Sequence, residues 1–166
     1  YERGELACDA YFERVSASTG GLYAPDEVRR LHESWILGEY EGVSGLIDDL
    51  HRAGIATGVL SNTNASHWRQ LTPGDHGPAR FPAASKPRHL HASHLLGLAK
   101  PSRDIYRAFE RLSGFPPASI VFFDDTQDNV RSAADAGWHA RLVDHAGDTA
   151  AQMRAHLRAL GLLGAD

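Results

Sequence analysis

Residues 120–130 read IVFFDDTQDNV. An apolar run from Ile120 to Phe123 ends in two adjacent carboxylates, Asp124 and Asp125. Such a run reads as a buried parallel strand. Asn129 follows, and Val130, Ala133, Ala134 and Ala136 then recur with helical spacing. Two acids at the carboxyl end of a central strand are costly to place there. Ligands of open α/β sheets bind in the crevice at those strand ends. Hard cations such as Mg²⁺ take oxygen ligands, often one or two carboxylates plus substrate phosphate. The pair therefore points to a Mg²⁺ and phosphate site. The plainer alternative makes the two acids the N-cap and first turn of the next helix. One Asp would suffice for that.

Two further segments have the same kind of chemistry. The strand-like run IATGVL, residues 55–60, leads into Ser61-Asn62-Thr63-Asn64. Small hydroxyl and amide side chains at a strand end, beside free backbone N–H groups, suit a phosphate. The same residues also suit a simple N-cap. Lys100 stands immediately before Pro101. The proline restricts the backbone of Lys100, and a lysine ammonium is a compact charge that neutralises phosphate and carboxylate. An isolated Lys-Pro would be only a surface lysine beside a helix start.

These three points need a scaffold of alternating strands and helices. Leu6, Tyr11, Phe12 and Val15 predict a helix over 5–18, broken at Gly20 and Gly21. Pro25 and Asp26 open a second helix that ends near Gly38. A third is expected over 42–53, stopped by Gly54. Helices are also expected over 64–71, 102–113, 129–137 and 148–160. Strands are expected over 55–60, 89–92, 120–123 and 139–143. Residues 72–88 contain four prolines, Pro73, Pro78, Pro82 and Pro87, and read as an extended loop. The alternation predicts an α/β fold with a Rossmann-like parallel sheet. No internal repeat or low-complexity tract interrupts it.

Composition narrows the partners. The 166 residues can bury a real core, and 42% hydrophobic with 23% charged residues is ordinary for a globular domain. A net charge of −4 without long basic runs argues against nucleic acid or an anionic membrane as partner. No apolar run approaches the ~20 residues of a membrane span, and no signal peptide is visible. One cysteine, Cys8, excludes an internal disulfide and fits a cytoplasmic location. Cys8 lies among Leu6, Ala7 and Tyr11 and reads as an inert thiol.

In combination, Ser61-Asn62, then Lys100-Pro101 with Ile105-Tyr106, then Asp124-Asp125 with Asn129, resemble the haloacid dehalogenase superfamily of hydrolases. Ser61 matches the second motif of that family, Lys100 the third, and Asp124 and Asp125 the fourth. The stretches YERGEL, LSNTN, GLAKPSRDIY and VFFDDTQDNV look like its sugar-phosphate phosphatase branch, the branch of alpha-D-glucose-1-phosphate phosphatase. The resemblance implies a small helical cap, residues 1–41, on an α/β core, residues 42–166. It implies Asp125 as the main carboxylate on Mg²⁺, with Asp124 supporting through water. Ser61 and Asn62 would hold the phosphoryl group, and Lys100 would neutralise it and orient the nucleophile. Asn129 would brace the acidic loop or the lysine.

One departure matters. The family's first motif, Asp-x-Asp or a near variant on a central strand, has no match here. Asp9 and Asp48-Asp49 fall in helical patterns. The chain begins at Tyr1 without Met, so the expectation is an omitted or truncated first segment. The central strand should then be absent, leaving two half-sheets on either side of a breach. Such a chain alone would be inactive and poorly folded.

The expected function is a Mg²⁺-dependent phosphatase acting on a small phosphorylated metabolite, as a monomer or homodimer. A 2-haloacid dehalogenase is disfavoured by the paired acids. A non-catalytic relative is favoured only by the missing first motif. His89, His91 and His94 could be read as soft-metal ligands, but no fourth ligand is evident. His67 and Trp68 could border a substrate pocket or be helix surface and core. Trp35 and Trp138 are expected in the core.

Overall fold

A computed structural model of the chain describes residues 1–164. It is an α/β fold with eight α-helices and four short parallel strands among those residues. The first two helices, α1 (Cys8–Ser18) and α2 (Pro25–Glu33), pack on each other. Pro25 occupies the first helical position of α2, and the Glu27 carboxylate accepts the Ala24 backbone N–H at 2.8 Å. Then follow α3 (Val43–Arg52), β1 (Gly58–Ser61) and α4 (Ala65–Leu71). Next come β2 (His89–Ala92), α5 (Ser93–Leu96), α6 (Arg103–Ser113) and β3 (Val121–Asp124). The chain continues through α7 (Gln127–Asp135), β4 (His139–Leu142) and α8 (Thr149–Ala159).

The sheet is split. β1 pairs with β2, Gly58 opposite His89 and Ser61 opposite Ala92. β3 pairs with β4, Val121 opposite His139 and Asp124 opposite Leu142. No ladder joins the two pairs among the described residues. Leu60, Ile105, Tyr106, Phe109, Phe122 and Trp138 form one core beneath α6 and α7. Leu46, Leu50 and Leu157 form a second, with Val121 and Phe123 packed against it beneath α3 and α8. Between the half-sheets lies a cavity of about 630 Å³, walled by Leu46, Ile55, Val59, Val121, Phe123 and Leu157 among others. This is the breach expected from the missing central strand. The close approach at Gly58 is already full: a Cβ there would sit 2.9 Å from the Phe109 ring and 3.2 Å from the His89 carbonyl oxygen.

Several boundaries differ from expectation. α1 starts at Cys8 rather than residue 5, since residues 2–6 form turns and bends. α2 ends at Glu33, and Trp35 beyond it is 69% exposed rather than in the core. β1 and β3 each run one residue further than expected, so Ser61 and Asp124 are themselves strand residues. α7 begins at Gln127, two residues early. Residues 72–88 carry a 3-10 turn at Pro82–Ser85 and an isolated bridge between Gly74 and Gly77. α5 was not anticipated, because four residues give no periodicity to read. Trp138 is buried, its indole N–H donating to the Glu110 carboxylate at 2.8 Å.

Candidate active site

The three sequence segments meet where β1 and β3 end. Asn62 and Lys100 form a two-point clamp: the Asn62 Nδ2 donates to the Lys100 carbonyl at 2.9 Å, and the Lys100 backbone N–H donates to Asn62 Oδ1 at 2.8 Å. The Asn62 amide therefore holds the lysine loop, rather than pointing both its polar atoms at a ligand. The Lys100 Nζ donates to Asp124 Oδ2 at 2.6 Å. Both side chains of this pair are almost fully buried, 9% and 5% exposed. The other oxygen of Asp124 accepts Asn129 Nδ2 at 2.9 Å and the Thr126 N–H at 2.8 Å. Tyr106 on α6 donates its hydroxyl to the Asn129 carbonyl at 2.9 Å. Burial above all, and then the negative charge of Asp124, push that phenol up to about 12, so it stays a donor. A continuous polar chain thus runs from β1 through Lys100 to β3 and α7, across the end of the gap.

The acids do not cap the helix. Thr126 is the N-cap of α7 and makes no side-chain cap bond. Asp124 instead accepts the Thr126 N–H in a short turn. Asp125 is exposed and faces outward. Its carboxylate lies 3.6 Å from His145 Nδ1 and 3.4 Å from the Thr126 hydroxyl. His145 was not singled out from the sequence. It lies in the loop after β4, and only the parallel pairing of β3 with β4 brings that loop to Asp125. Ser61 sits half-buried at the end of β1, with no hydrogen-bond partner for its hydroxyl among the described residues.

This donor set suits Mg²⁺. The ion keeps several waters and needs only one or two protein carboxylates. Asp125 is exposed and held, among the described residues, only by long contacts to Thr126 and His145, whereas Asp124 has both of its oxygens engaged by close donors. No group of three or more His, Cys, Asp or Glu that could hold a metal occurs among the described residues. The histidines of the cluster have neighbours of their own. His89 and His91 lie on β2 and edge onto Phe109, while His94 Nδ1 donates to the Thr63 carbonyl at 3.2 Å. His67 stacks face to face on His32, ring centroids 4.1 Å apart, and Trp68 meets His94 edge-on.

Comparison with known proteins bears on this geometry. A family model described as haloacid dehalogenase-like hydrolase matches residues 5–137. The chain is 29% identical over 148 residues to Phosphatase MT3486 of Mycobacterium tuberculosis, covering 86% of this chain and 64% of that protein. It therefore spans less than two thirds of that relative's length. Among solved structures, the HAD family enzyme bt-2542 of Bacteroides thetaiotaomicron, in complex with magnesium and inorganic phosphate, superposes with a TM-score of 0.78. That match has 20% identity and covers 92% of this chain and 77% of the other. A predicted HAD-like family hydrolase from Porphyromonas gingivalis gives 0.77 at 22% identity, covering 95% and 76%. At those identities the likeness is one of fold. No helix among the described residues is long and apolar enough to cross a membrane. With the matched region reaching from before α1 to the end of α7, the chain belongs to the haloacid dehalogenase-like hydrolases.

Proposed function

We propose that this chain carries the phosphate- and metal-binding side of a Mg²⁺-dependent phosphatase. Its substrate would be a small phosphorylated metabolite, a sugar phosphate by the resemblance of its motifs, and its setting the cytoplasm. The observation that carries this reading is the buried ion pair between Lys100 and Asp124 at 2.6 Å. It fixes a cation and an anion at the mouth of a gap between two parallel strands, where α/β ligands bind.

In this reading Ser61 donates its hydroxyl to the phosphoryl oxygens. Lys100 has three ammonium protons and uses one on Asp124, so the others are available for phosphate. Asn62 positions Lys100 by gripping its backbone. Asn129 holds Asp124 against rotation. Asp125 would hold the Mg²⁺ directly and Asp124 through water. When bound, the ion would act as a Lewis acid that offsets phosphate charge. The nucleophile is a carboxylate outside residues 1–166, on a strand that fits the gap beside β1 and β3. It attacks phosphorus and the alcohol leaves. Water then cleaves the resulting aspartyl phosphate to inorganic phosphate and restores the carboxylate.

The test is turnover of an aryl phosphate by the full-length protein with Mg²⁺ and with EDTA. Hydrolysis that needs Mg²⁺ and stops with EDTA is the expected result. Halide release from a 2-haloacid, or metal-independent turnover, overturns the reading. No turnover of any phosphate ester would leave the non-catalytic alternative.

A further inference from the structure

The β1–β2 ladder ends where Ser61 pairs with Ala92. Beyond that rung the backbones part, Thr63 towards α4 and Ser93 into α5. The Ser93 hydroxyl carries the pairing on by side chain. Ser93 is fully buried, and its Oγ accepts the Thr63 backbone N–H at 2.9 Å. A hydroxyl has one proton to give. Two carbonyls stand around it, that of Glu2 at 2.6 Å and that of Thr63 at 2.9 Å. His94 resolves the choice. Its Nδ1 donates to the Thr63 carbonyl at 3.2 Å, so the Ser93 proton goes to the nearer Glu2 carbonyl. Each of these groups then has a partner, as buried polar groups require.

Glu2 belongs to the segment that leads into α1, and that segment lies close on the same two residues. Gly4 has a φ of 74°, and a Cβ there would fall 2.4 Å from the His94 carbonyl oxygen. A side chain at this crossing would collide, so glycine is required. The loop after β1 is thus bracketed twice. Asn62 is tied to Lys100, and Thr63 is tied to Ser93 and His94. Ser61 stands immediately before this bracket, its own hydroxyl without a partner among the described residues.

We propose that Ser93 and His94 are positioning residues for phosphate binding. By holding Thr63 they aim the Ser61 hydroxyl, and they tie that loop to the chain entering α1. Neither side chain touches the phosphoryl group; both act through Ser61. The proposal rests on the phosphatase reading above and goes beyond its motif residues.

The experiment uses the full-length protein with Mg²⁺. Turnover of an aryl phosphate and calorimetric binding of inorganic phosphate are measured in wild type, Ser93→Ala, His94→Leu and His94→Asn. Each is made with Ser61 intact and with Ser61→Ala, and compared at a temperature where circular dichroism shows it folded. Ser93→Ala and His94→Leu should each lose about tenfold in kcat/KM and weaken phosphate by a similar factor. His94→Asn, whose amide nitrogen replaces Nδ1, should recover most of the loss. In the Ser61→Ala background the same changes should cost less than about twofold, since the group they aim is gone. A merely structural role would give equal losses in both backgrounds, and that result overturns the proposal while leaving the phosphatase reading standing. Wild-type behaviour in Ser93→Ala does the same. Where Ser93→Ala does not fold, the two His94 variants decide by the same comparison. Phosphate binding that shows the coupling to Ser61, without any turnover, overturns the phosphatase reading alone. Neither turnover nor phosphate binding overturns both.

Discussion

Asn62 grips both backbone polar groups of Lys100, at 2.8 and 2.9 Å, although the two residues are 38 positions apart. The lysine ammonium then reaches Asp124 on the other half-sheet. A side chain at the end of β1 therefore sets the position of a charge that lies against β3. Asn62→Ala removes both contacts and leaves the Lys100 N–H and C=O to find other partners. We expect a stability loss of about 1–3 kcal/mol in urea denaturation. We also expect a kcat loss larger than that stability change explains at saturating Mg²⁺. Asn62→Asp, which keeps the acceptor for the N–H, should recover part of the stability. Equal stability and activity in Asn62→Ala and wild type would show that the clamp positions nothing.

The two adjacent acids should behave differently. Asp125 is exposed, with one weak contact to Thr126 and one to His145. Asp125→Asn should stay folded and bind Mg²⁺ on the order of 100-fold more weakly, because a neutral amide replaces an anionic ligand. Asp124→Asn leaves the buried Lys100 ammonium without its partner. Breaking a buried pair from one side costs about 3–5 kcal/mol. The readouts are Mg²⁺ titration by calorimetry and thermal unfolding. Asp125→Asn with unchanged Mg²⁺ affinity would remove Asp125 from the metal site.

The meeting of the three polar segments at the strand ends was readable because β1 and β3 are apolar runs that stop at polar residues, and because Ser61, Lys100 and Asp124 follow one another in the order the resemblance implies. The α/β architecture followed from the alternation of strands and helices. Boundaries were less legible. Ser61 and Asp124 extend their strands by ladder pairing with Ala92 and Leu142, partners remote in sequence. Trp35 looked like core by type, yet α2 ends at Glu33 and puts it on a cavity rim. The grip of Asn62 on Lys100 and the nearness of His145 to Asp125 are tertiary facts. No periodicity or motif encodes them.

Acid should destabilise the fold well above the carboxylate range. His32, His91 and His94 are all held below the usual histidine value, in each case chiefly by burial. The charge of neighbouring His67 adds to this at His32, and that of His89 at His91. The folded state therefore binds fewer protons than the unfolded chain once pH falls below about 6.5. Their neutral forms are tolerated fully above that pH. Stability falls as pH drops through it and continues to fall until the depressed folded values are reached. We expect Tm to decline between about pH 7 and pH 5, and His91→Phe to flatten the decline. His91 Nε2 is buried and unpartnered, so it has no proton acceptor nearby to offset charging. A Tm independent of pH across that range would contradict neutral burial of these rings.

The gap between the half-sheets governs what residues 1–166 do by themselves. Strands β1 and β3 each present one edge without a ladder partner among the described residues. Val59, Val121 and Phe123 border an apolar cavity of about 630 Å³ between them. Void space of this kind forfeits packing on every wall, and each fully buried apolar side chain is worth about 1.5–3 kcal/mol. Total stability of a domain is only about 5–15 kcal/mol, so a few incompletely packed residues weigh heavily. The polar chain from Asn62 through Lys100 to Asp124 ties the halves at one end only. Residues 1–166 expressed alone should bind the dye ANS, unfold with low cooperativity and hydrolyse no phosphate ester. The same residues within the longer protein should do none of the first two and show the hydrolysis. A chain of residues 1–166 that excludes ANS, unfolds in one sharp step and turns over phosphate esters would place the nucleophile within it and the strand order elsewhere.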